Sequence, residues 1–230
     1  MIEIKAWDEL PREMKTGEVR IFYDILKTKT KEFKKKRIFD IVMASILLTC
    51  ALPLLIIIAI AVATDSKGGI FFCQERVTAY GRRFKIIKFR TMVKNADKLG
   101  AGVTVKGDAR VTKVGAFLRK YRLDELPQLI NIIWGDMSFV GTRPESVKYV
   151  NQYSDEMYAT LLLPAGVTSS ASIKYKDEEK LLDNANDADR VYVEEILPKK
   201  MEYNLRDIEK FSMARDIRII IETVLAVVRS

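Results

Sequence analysis

Two adjacent carboxylates, Asp124 and Glu125, stand at the start of a stretch in which apolar residues repeat at helical spacing. Because a proline is tolerated in the first turn of a helix but not in its interior, Pro127 predicts that Asp124 lies near the N-cap. Backbone N–H groups and the helix dipole would hold a carboxylate ionised there, and an ionised carboxylate can act as a nucleophile. The same helix end can also bind a phosphate group. The alternative is an ordinary cap, with Glu125 as a first-turn acid.

The residue types that the sequence lacks narrow the chemistry further. It contains no histidine, which excludes Ser-His-Asp and Cys-His nucleophile systems, histidine-containing zinc sites and histidine-based acid–base catalysis. Its two cysteines, Cys50 and Cys73, are too few for a disulfide framework or a cysteine metal site and are typical of a reducing compartment. Any catalysis must therefore come from carboxylates, Lys, Arg or Tyr, alone or with a hard metal ion.

A second candidate group is the turn Gly141-Thr142-Arg143-Pro144. A glycine followed by Arg-Pro forms a rigid turn that presents a guanidinium, which suits a bidentate contact with phosphate. The chain has 39 Lys and Arg residues against 31 Asp and Glu residues, a net charge of +8. An anionic partner is therefore expected: nucleic acid, acidic lipid headgroups or a phosphorylated substrate. The alternative for Arg143 is an exposed arginine in an ordinary surface turn.

Residues 41–64 carry no charge and predict a membrane helix. At about 1.5 Å per residue, a straight helix of this length reaches about 36 Å, enough to cross a hydrocarbon core. The run begins too far from the N-terminus, and is too long, for the apolar core of a cleaved signal peptide. A membrane-spanning helix, a re-entrant helix and, as the least favoured alternative, the buried core helix of a soluble protein remain open.

Two features of this segment favour a re-entrant path over a spanning one. Pro53, near its midpoint, lacks an N–H group and predicts a kink. Basic residues stand on both sides, among them Lys36 and Arg37, so the positive-inside bias fits a helix that enters one leaflet, bends and returns to the cytoplasmic face. Because these residues cluster beside the apolar run rather than among exposed aromatics, lipid headgroups are the expected counter-charge and nucleic acid is not.

The elements that must position these residues are mostly helices. Apolar patterning and turn residues predict two strands joined at Tyr80-Gly81, over 70–77 and 84–90. They also predict a helix start at 91–99, a loop at 100–108, and helices over 114–121, 146–162, 187–210 and 213–228. The apolar face of the last helix could pack in the core, on a membrane surface or on a partner, with the core as the default.

No internal repeat or low-complexity linker divides the chain, so we expect one globular unit after the membrane segment. Residues 1–35 form a charged extension whose apolar positions predict an amphipathic surface helix, with a solvated charged segment as the alternative. The membrane helix is expected at 36–64 and the catalytic domain at 65–230. The predicted fold class is α+β: a small, predominantly helical globular domain with a short β-hairpin, attached to an N-terminal re-entrant membrane helix kinked at Pro53.

Several motifs in one order resemble the bacterial sugar transferase family, the monotopic phosphoglycosyl transferases that begin exopolysaccharide, O-antigen and glycoprotein glycan assembly. The similarity runs from about Lys36 to Val228. Its motifs here are KRIFD at 36–40, FKIIKFRTM at 84–92, LDELPQ at 123–128 and GDMSFVGTRP at 135–144. Two positions depart from the family pattern: Leu52 stands where many members have a serine before the kink proline, and Thr142 replaces the first proline of a Pro-Arg-Pro motif.

The resemblance implies an activity and a set of site residues. The activity is transfer of a phospho-sugar from a UDP-sugar to polyprenyl (undecaprenyl) phosphate, with release of UMP, as the first membrane step of bacterial glycan assembly. Asp124 would form a covalent phospho-sugar intermediate, with Glu125 as its partner, and both would bind Mg²⁺, with Asp136 as a further candidate ligand. The expected phosphate-binding residues are Arg119, Arg143, Pro144, Lys88 and Arg90. The expected membrane residues are Lys36, Arg37 and Pro53.

The resemblance also implies partners and a location. The expected partners are a UDP-sugar donor, a polyprenyl phosphate acceptor, lipids of the inner membrane and downstream glycosyltransferases, with a homo-oligomer left open. The expected location is the bacterial cytoplasmic membrane, with the catalytic domain on the cytosolic face. The alternative is a membrane-anchored scaffold or regulatory protein of glycan assembly that lacks activity, against which the intact Asp-Glu pair and Arg143 argue.

Overall fold

The computed structural model describes residues 3–94, 96, 108–176, 178 and 187–228. Nearly all of the predicted loop at 100–108 lies outside these residues, as do residues 95 and 97–99 of the helix start predicted at 91–99. The described beginning of that segment, 91–94, is not helical, since Met92 forms an isolated antiparallel bridge with Val111. The described part is mostly helical, as predicted. Its helices and strands are α1 (Gly17–Lys27), α2 (Thr30–Asp65), β1 (Phe71–Val77), β2 (Arg83–Phe89), α3 (Lys113–Lys120), α4 (Gln128–Trp134), β3 (Met137–Val140), α5 (Val147–Val150), β4 (Ala165–Thr168), α6 (Ser170–Lys174), α7 (Ala188–Val191), α8 (Leu197–Glu209) and α9 (Met213–Val228).

β1 and β2 form an antiparallel hairpin, which confirms the prediction of two strands joined at Tyr80-Gly81. The register pairs the first residue of β1, Phe71, with the last residue of β2, Phe89. Tyr80 and Gly81 have φ angles of 60° and 70° in the connecting turn. A glycine adopts such angles without steric strain, which is why this dipeptide marks the turn in the sequence.

β3 and β4 form a parallel pair that the sequence analysis did not predict. Two glycines allow their backbones to approach closely: a Cβ on Gly141 would lie 2.5 Å from the carbonyl oxygen of Pro164, and one on Gly166 would lie 2.1 Å from the nitrogen of Gly141. Gly141 N–H donates to the Thr168 carbonyl at 3.0 Å, and Gly166 N–H donates to the Thr142 carbonyl at 2.8 Å. The pair therefore fixes the start of the turn that carries the candidate arginine.

The single helix predicted over 146–162 is wrong. The short α5 ends at Val150, a 3₁₀ turn follows at Met157–Leu162, and the chain then enters β4. β4 pairs with a strand more than twenty residues away in sequence, and apolar periodicity along the chain does not detect such a pairing. The other predicted helices are confirmed: 114–121 as α3, 187–210 as α7 and α8 joined by a π-helical segment at Tyr192–Ile196, and 213–228 as α9.

α2 is one continuous helix of 36 residues with Pro53 inside it. Among the described residues it is the one helix long and apolar enough to cross a membrane, by length and composition. Its middle carries a large exposed apolar surface, of a size that marks a protein or membrane contact. The exposed residues are Ile38, Ile41, Val42, Ile46, Leu47, Leu52, Leu54, Ile56, Ile57 and Ile60. The re-entrant path and the kink at Pro53 stay predictions.

The N-terminal part of α2 is bound to the rest of the domain. Lys36, only 6% exposed, forms an ion pair with Asp216 of α9 and donates to the carbonyl of Val140 at 2.9 Å. Arg37 donates to two carbonyls in the last turn of α4, at 2.7 and 2.8 Å, and so caps that helix. Both cations therefore have partners within the protein, and their predicted role at the membrane stays a prediction.

The C-terminal end of α2 is bound to the same domain. Arg90 Nη2 donates to the carbonyls of Val62 and Ser66, at 2.9 and 2.7 Å. Asp65 Oδ2 accepts a hydrogen bond of 3.0 Å from the N–H of Val114, in the first turn of α3. The two ends of the apolar helix are thus held by one folded unit, and its exposed middle lies between them.

The predicted N-terminal extension belongs to the main hydrophobic core. α1 is amphipathic, as predicted, and buries Val19, Phe22, Tyr23 and Leu26. These side chains join a core cluster that includes apolar residues of the 3₁₀ turn at Met157–Leu162 and of α8. The apolar face of α1 therefore packs on the protein itself rather than on a lipid surface.

The expectation that the apolar face of α9 packs in the core is wrong. Ile219 is buried, whereas Ile217, Ile221, Val224 and Leu225 are about half exposed. The helix packs against α2, α6, β3 and β4 on one side only. Its apolar periodicity therefore produces a solvent-facing apolar stripe beside the long helix.

Candidate active site

The two candidate carboxylates lie in a 3₁₀ turn, Leu123–Glu125, that precedes α4. α4 has Pro127 as its N-cap, so the prediction that Asp124 lies near the N-cap of this helix is wrong. The residue before the turn, Arg122, has φ 57° and ψ 20°, a left-handed conformation that non-glycine residues rarely adopt. This bend follows α3 and brings the turn against β2.

Glu125 is fixed by two cations. Arg143 Nη2 and Lys88 Nζ donate to its Oε1 at 2.6 and 2.9 Å, and Arg143 Nη1 lies 3.5 Å from its Oε2. Burial by itself would raise the pKa of Glu125, but the charges and hydrogen bonds of Arg143 and Lys88 outweigh burial and lower it. The same carboxylate raises the pKa of Arg143. Glu125 is therefore ionised throughout the physiological range.

Asp124 occupies the opposite kind of environment. It is 7% exposed, and its Oδ1 is buried without a hydrogen-bond partner among the described residues. Burial and the adjacent charge of Glu125 raise the pKa of Asp124, while Lys88 and Arg119 act in the other direction. The expectation that a helix N-terminus stabilises its charge is therefore wrong. An oxygen of this carboxylate is instead left without a partner beside a fixed negative charge.

Asn131 fixes α4, the helix that follows the Leu123–Glu125 turn, against β2. Its side chain, which is fully buried, accepts from the N–H of Ile87 at 3.0 Å and donates to the carbonyl of Lys85 at 2.9 Å. Lys88 is the next residue of the strand, so this two-point contact holds its ammonium beside Glu125. The sequence analysis missed Asn131, because one polar residue among apolar ones in a helix does not reveal which backbone it binds.

The arginine turn is fixed from both sides. The β3–β4 pair holds its first residues, as described above, and the N–H of Val77 at the end of β1 donates to the carbonyl of Glu145 at 3.0 Å. The Glu145 side chain accepts from the hydroxyl of Tyr192 at 2.5 Å. The guanidinium of Arg143 is therefore presented from a rigid segment, as the Gly-Thr-Arg-Pro sequence predicted. Pro144 follows it in the segment between the two anchors.

Three further residues were predicted for the site: Arg119, Arg90 and Asp136. Arg119 acts on Asp124 through its charge. Arg90 is buried against the end of α2, as described above, and its Nε and Nη1 have no hydrogen-bond partner within the described ranges. Asp136 forms an ion pair of 2.7 Å with Arg82 at the end of the hairpin. The phosphate-binding role of Arg90 and the metal-binding role of Asp136 stay predictions.

The adjacent carboxylates of Asp124 and Glu125, called the dyad below, offer the oxygen ligands that a magnesium site uses. Within the part of the chain that the structure describes, no group of three or more His, Cys, Asp or Glu side chains could hold a metal ion. Mg²⁺ does not require one, since proteins commonly bind it through one or two carboxylates together with waters and substrate phosphates. The buried, unpartnered Oδ1 of Asp124 next to the Glu125 carboxylate fits that requirement.

Comparison with known proteins gives relatives over most of the chain. A UDP-N-acetylgalactosamine-undecaprenyl-phosphate N-acetylgalactosaminephosphotransferase of Aeromonas hydrophila is 36% identical over 193 residues, which cover 82% of this chain and 42% of the relative. A UDP-glucose:undecaprenyl-phosphate glucose-1-phosphate transferase of Klebsiella pneumoniae is 38% identical over 195 residues, or 82% of this chain and 39% of the relative. The chain thus spans about two fifths of the length of these two relatives.

A third relative is closer to this chain in length. It is a UDP-glucose:undecaprenyl-phosphate glucose-1-phosphate transferase of Caulobacter vibrioides, 33% identical over 193 residues, which cover 83% of this chain and 68% of the relative. The family model described as "Bacterial sugar transferase" matches residues 31–230, a range that contains nearly all of α2, the Leu123–Glu125 turn and the arginine turn. The chain belongs to the bacterial sugar transferase family.

Proposed function

We propose that this chain transfers a sugar 1-phosphate from a UDP-sugar to undecaprenyl phosphate and releases UMP, as the first membrane step of bacterial glycan assembly. The names of its relatives, which describe undecaprenyl-phosphate sugar-phosphate transferases, support the substrate classes. The observation that carries the proposal is the contrast within the dyad. Two cations fix Glu125, whereas Asp124 keeps a buried oxygen without a partner among the described residues.

The reaction is two displacements at one phosphorus atom. In the first, a carboxylate oxygen of Asp124 bonds to the sugar-bearing phosphorus of the donor, and the bond from that phosphorus to the bridging oxygen breaks, so that UMP leaves with the electron pair. In the second, an oxygen of undecaprenyl phosphate bonds to the same phosphorus, and the aspartyl oxygen leaves as a carboxylate. The covalent intermediate divides one phosphoryl transfer into two easier steps.

The charges around the dyad suit this chemistry. An anionic nucleophile and an anionic diphosphate repel each other, so positive groups must offset the repulsion. Arg143 and Lys88 supply two such groups at Glu125, and Arg119 acts on Asp124. Asp124 and Glu125 would hold Mg²⁺, which when bound screens phosphate charge. The unpaired environment of Asp124 keeps its carboxylate weakly stabilised and therefore reactive.

The anchoring of α2 supports a re-entrant path. A helix that crossed the membrane would leave its two ends on opposite faces of the bilayer. Here the N-terminal part pairs with α9 and α4, and the C-terminal end binds Arg90 and α3 of the same domain. We therefore propose that the exposed middle of α2 enters one leaflet, bends at Pro53 and returns, which keeps the catalytic domain on the cytosolic face of the cytoplasmic membrane.

The test is a release assay with purified protein in detergent, Mg²⁺, undecaprenyl phosphate and a panel of UDP-sugars. The proposal predicts UMP release that requires both the lipid phosphate and Asp124. The Asp124→Asn variant tests the nucleophile, and Asp24→Asn, which removes an exposed carboxylate in α1, is the matched control. Absence of UMP release with every donor, from protein shown to be folded, would contradict the proposal and favour a scaffold role.

A further inference from the structure

A cation beside Arg143 has no part in the mechanism above. Arg76 is the penultimate residue of β1, directly before Val77, whose N–H binds the carbonyl of Glu145 at 3.0 Å. Glu145 directly follows the arginine turn, two residues beyond Arg143. The backbone contact therefore brings Arg76 and Arg143 to adjoining segments, and their charges act on each other.

Arg76 has no acidic ion-pair partner in the described part of the chain. Its Nη2 donates to Oε1 of Gln74 at 2.7 Å, and no carboxylate of the described chain lies within ion-pair distance of its guanidinium. Glu145, the acid whose charge acts most strongly on Arg76, already accepts from Tyr192 and lies 3.7 Å from the ammonium of Lys200. Burial lowers the pKa of Arg76; of the charges around it, Glu145 has the larger effect and raises the pKa, and Arg143 lowers it.

The hairpin register places Arg76 on the side of the dyad. Residues directly opposite each other in an antiparallel pair share a face, and alternate residues of a strand do too. Arg76 is opposite Phe84 and Gln74 is opposite Ile86, and Lys88 follows on the same face of β2. The hydrogen bond to Gln74 draws the guanidinium of Arg76 along the strand toward Lys88, which contacts Glu125.

We propose that Arg76, oriented by Gln74, forms a phosphate-binding site together with Arg143. Arg76 and Arg143 carry like charges that act on each other, and an anion bound between them would offset that repulsion. A guanidinium offers paired N–H donors in a plane, which match the oxygens of a phosphate group. The phosphate belongs either to the diphosphate of the donor or to the lipid acceptor. This inference rests on the proposed function for its substrates.

The experiment measures anion binding directly rather than turnover. Purified full-length protein in detergent is titrated calorimetrically with inorganic pyrophosphate, with UDP and with a short-chain polyprenyl phosphate. The variants are Arg76→Ala, Arg76→Lys and Gln74→Ala. The matched control is Arg83→Ala, which removes an exposed cation, paired with Glu75, from the same hairpin. Melting temperatures of all variants are recorded in the same detergent.

The inference predicts that Arg76→Ala weakens the binding of UDP and pyrophosphate, or of the polyprenyl phosphate, about tenfold or more, because charge-assisted hydrogen bonds are lost. Arg83→Ala should change binding by less than about twofold, since an exposed cation in a surface ion pair contributes little. Arg76→Lys should weaken binding by an amount between those of Arg76→Ala and Arg83→Ala. Gln74→Ala should weaken binding less than Arg76→Ala does. Loss confined to UDP and pyrophosphate assigns the site to the donor, whereas loss confined to polyprenyl phosphate assigns it to the acceptor.

Two results would overturn the inference. One is Arg76→Ala protein that binds all three anions as the wild type does, even if its melting temperature falls, since Arg76 would then be structural only. The other is wild-type protein that binds none of the anions. Anion binding that depends on Arg76, in a protein that releases no UMP from any donor, would instead remove the proposed reaction and leave the phosphate site in place.

Discussion

Two buried groups of charged side chains differ in how completely their polar atoms are paired. In the cluster formed by Glu145, Tyr192, Lys200 and Glu178, Tyr192 donates to Glu145 at 2.5 Å, and Lys200 donates to Tyr192 and Glu178 at 3.0 and 2.8 Å. Among the residues that the structure describes, none of these side chains has a buried polar atom without a partner. In the Leu123–Glu125 turn, by contrast, Asp124 has such an atom.

The difference separates a structural network from a reactive one. A buried polar network whose members are all paired rigidifies the fold, whereas an unpaired buried oxygen lowers stability and is available to a ligand or a reacting atom. Asp124 and Glu125 are adjacent, yet within the described chain one carboxylate is paired and the other is not. Glu125 has cationic partners, like the acids of the cluster around Lys200, whereas Asp124 has a buried oxygen without a partner among the described residues. We therefore expect opposite consequences when each carboxylate is neutralised.

The largest expected effect is on turnover. Asp124→Asn should reduce UMP release by at least about 10⁴-fold, because the amide cannot replace the carboxylate as a nucleophile. Burial raises the pKa of Asp124, so its charged form destabilises the folded state at neutral pH. The variant should therefore melt at the same temperature as the wild type or higher. Activity above about one per cent of wild type would contradict the nucleophile assignment.

The second prediction concerns pH. Because only the ionised carboxylate of Asp124 can attack, kcat/KM for the donor should fall about tenfold per pH unit below its pKa, which burial places above the ordinary value of 3.8. The ion pairs of Glu125 stabilise the fold fully when the pH is above the ordinary pKa of a glutamate. This stabilisation is lost only as the pH falls through the lowered pKa of Glu125. A pH–rate profile with a parallel unfolding measurement separates the two effects. Activity that falls only together with unfolding would contradict the assignment.

The third prediction is that neutralising Glu125, unlike neutralising Asp124, lowers the stability of the fold. Glu125→Gln should lower the free energy of unfolding by about 2–3 kcal/mol, because it leaves Arg143 and Lys88 without their counter-charge. This figure is smaller than that for a fully buried ion pair, since Arg143 is partly exposed. Denaturant or thermal unfolding in detergent measures it beside Asp124→Asn. Equal melting temperatures for the two variants would remove the contrast within the dyad.

The smallest expected effect tests the paired cluster. Tyr192→Phe should lower the free energy of unfolding by about 1–2 kcal/mol, because Glu145 loses its hydroxyl donor and Lys200 loses an acceptor. UMP release should change by less than about threefold, since this cluster supplies no reacting group. A loss of activity as large as that of Asp124→Asn would show that the two regions act as one network.

Much of this arrangement could be predicted from local sequence patterns. The hairpin, α3, α9 and the rigid presentation of Arg143 follow from alternation, helical spacing and turn residues. The role of Asp124 and Glu125 was predicted from the LDELPQ motif at 123–128 and its resemblance to the family. The environment of Asp124 and Glu125 was not predicted. The direction of a pKa shift depends on burial and on cations that are distant in sequence, such as Lys88 and Arg143.

The features that were missed depend on long-range contacts. Lys36 was interpreted as a membrane-flanking cation, but its partner Asp216 lies 180 residues away in the chain. The β3–β4 pair and the two-point contact of Asn131 likewise join segments that no local period connects. The left-handed conformation of Arg122 has no signature, because the sequence has neither glycine nor asparagine there.

The most direct test of the central claim, that Asp124 is the nucleophile, is intact-protein mass spectrometry after incubation with Mg²⁺ and an active UDP-sugar but without lipid acceptor. The account predicts a mass increase equal to one phospho-sugar, released on addition of undecaprenyl phosphate, located by peptide mapping at Asp124 and absent from Asp124→Asn. Full turnover without a detectable adduct, or an adduct on another residue, would contradict it.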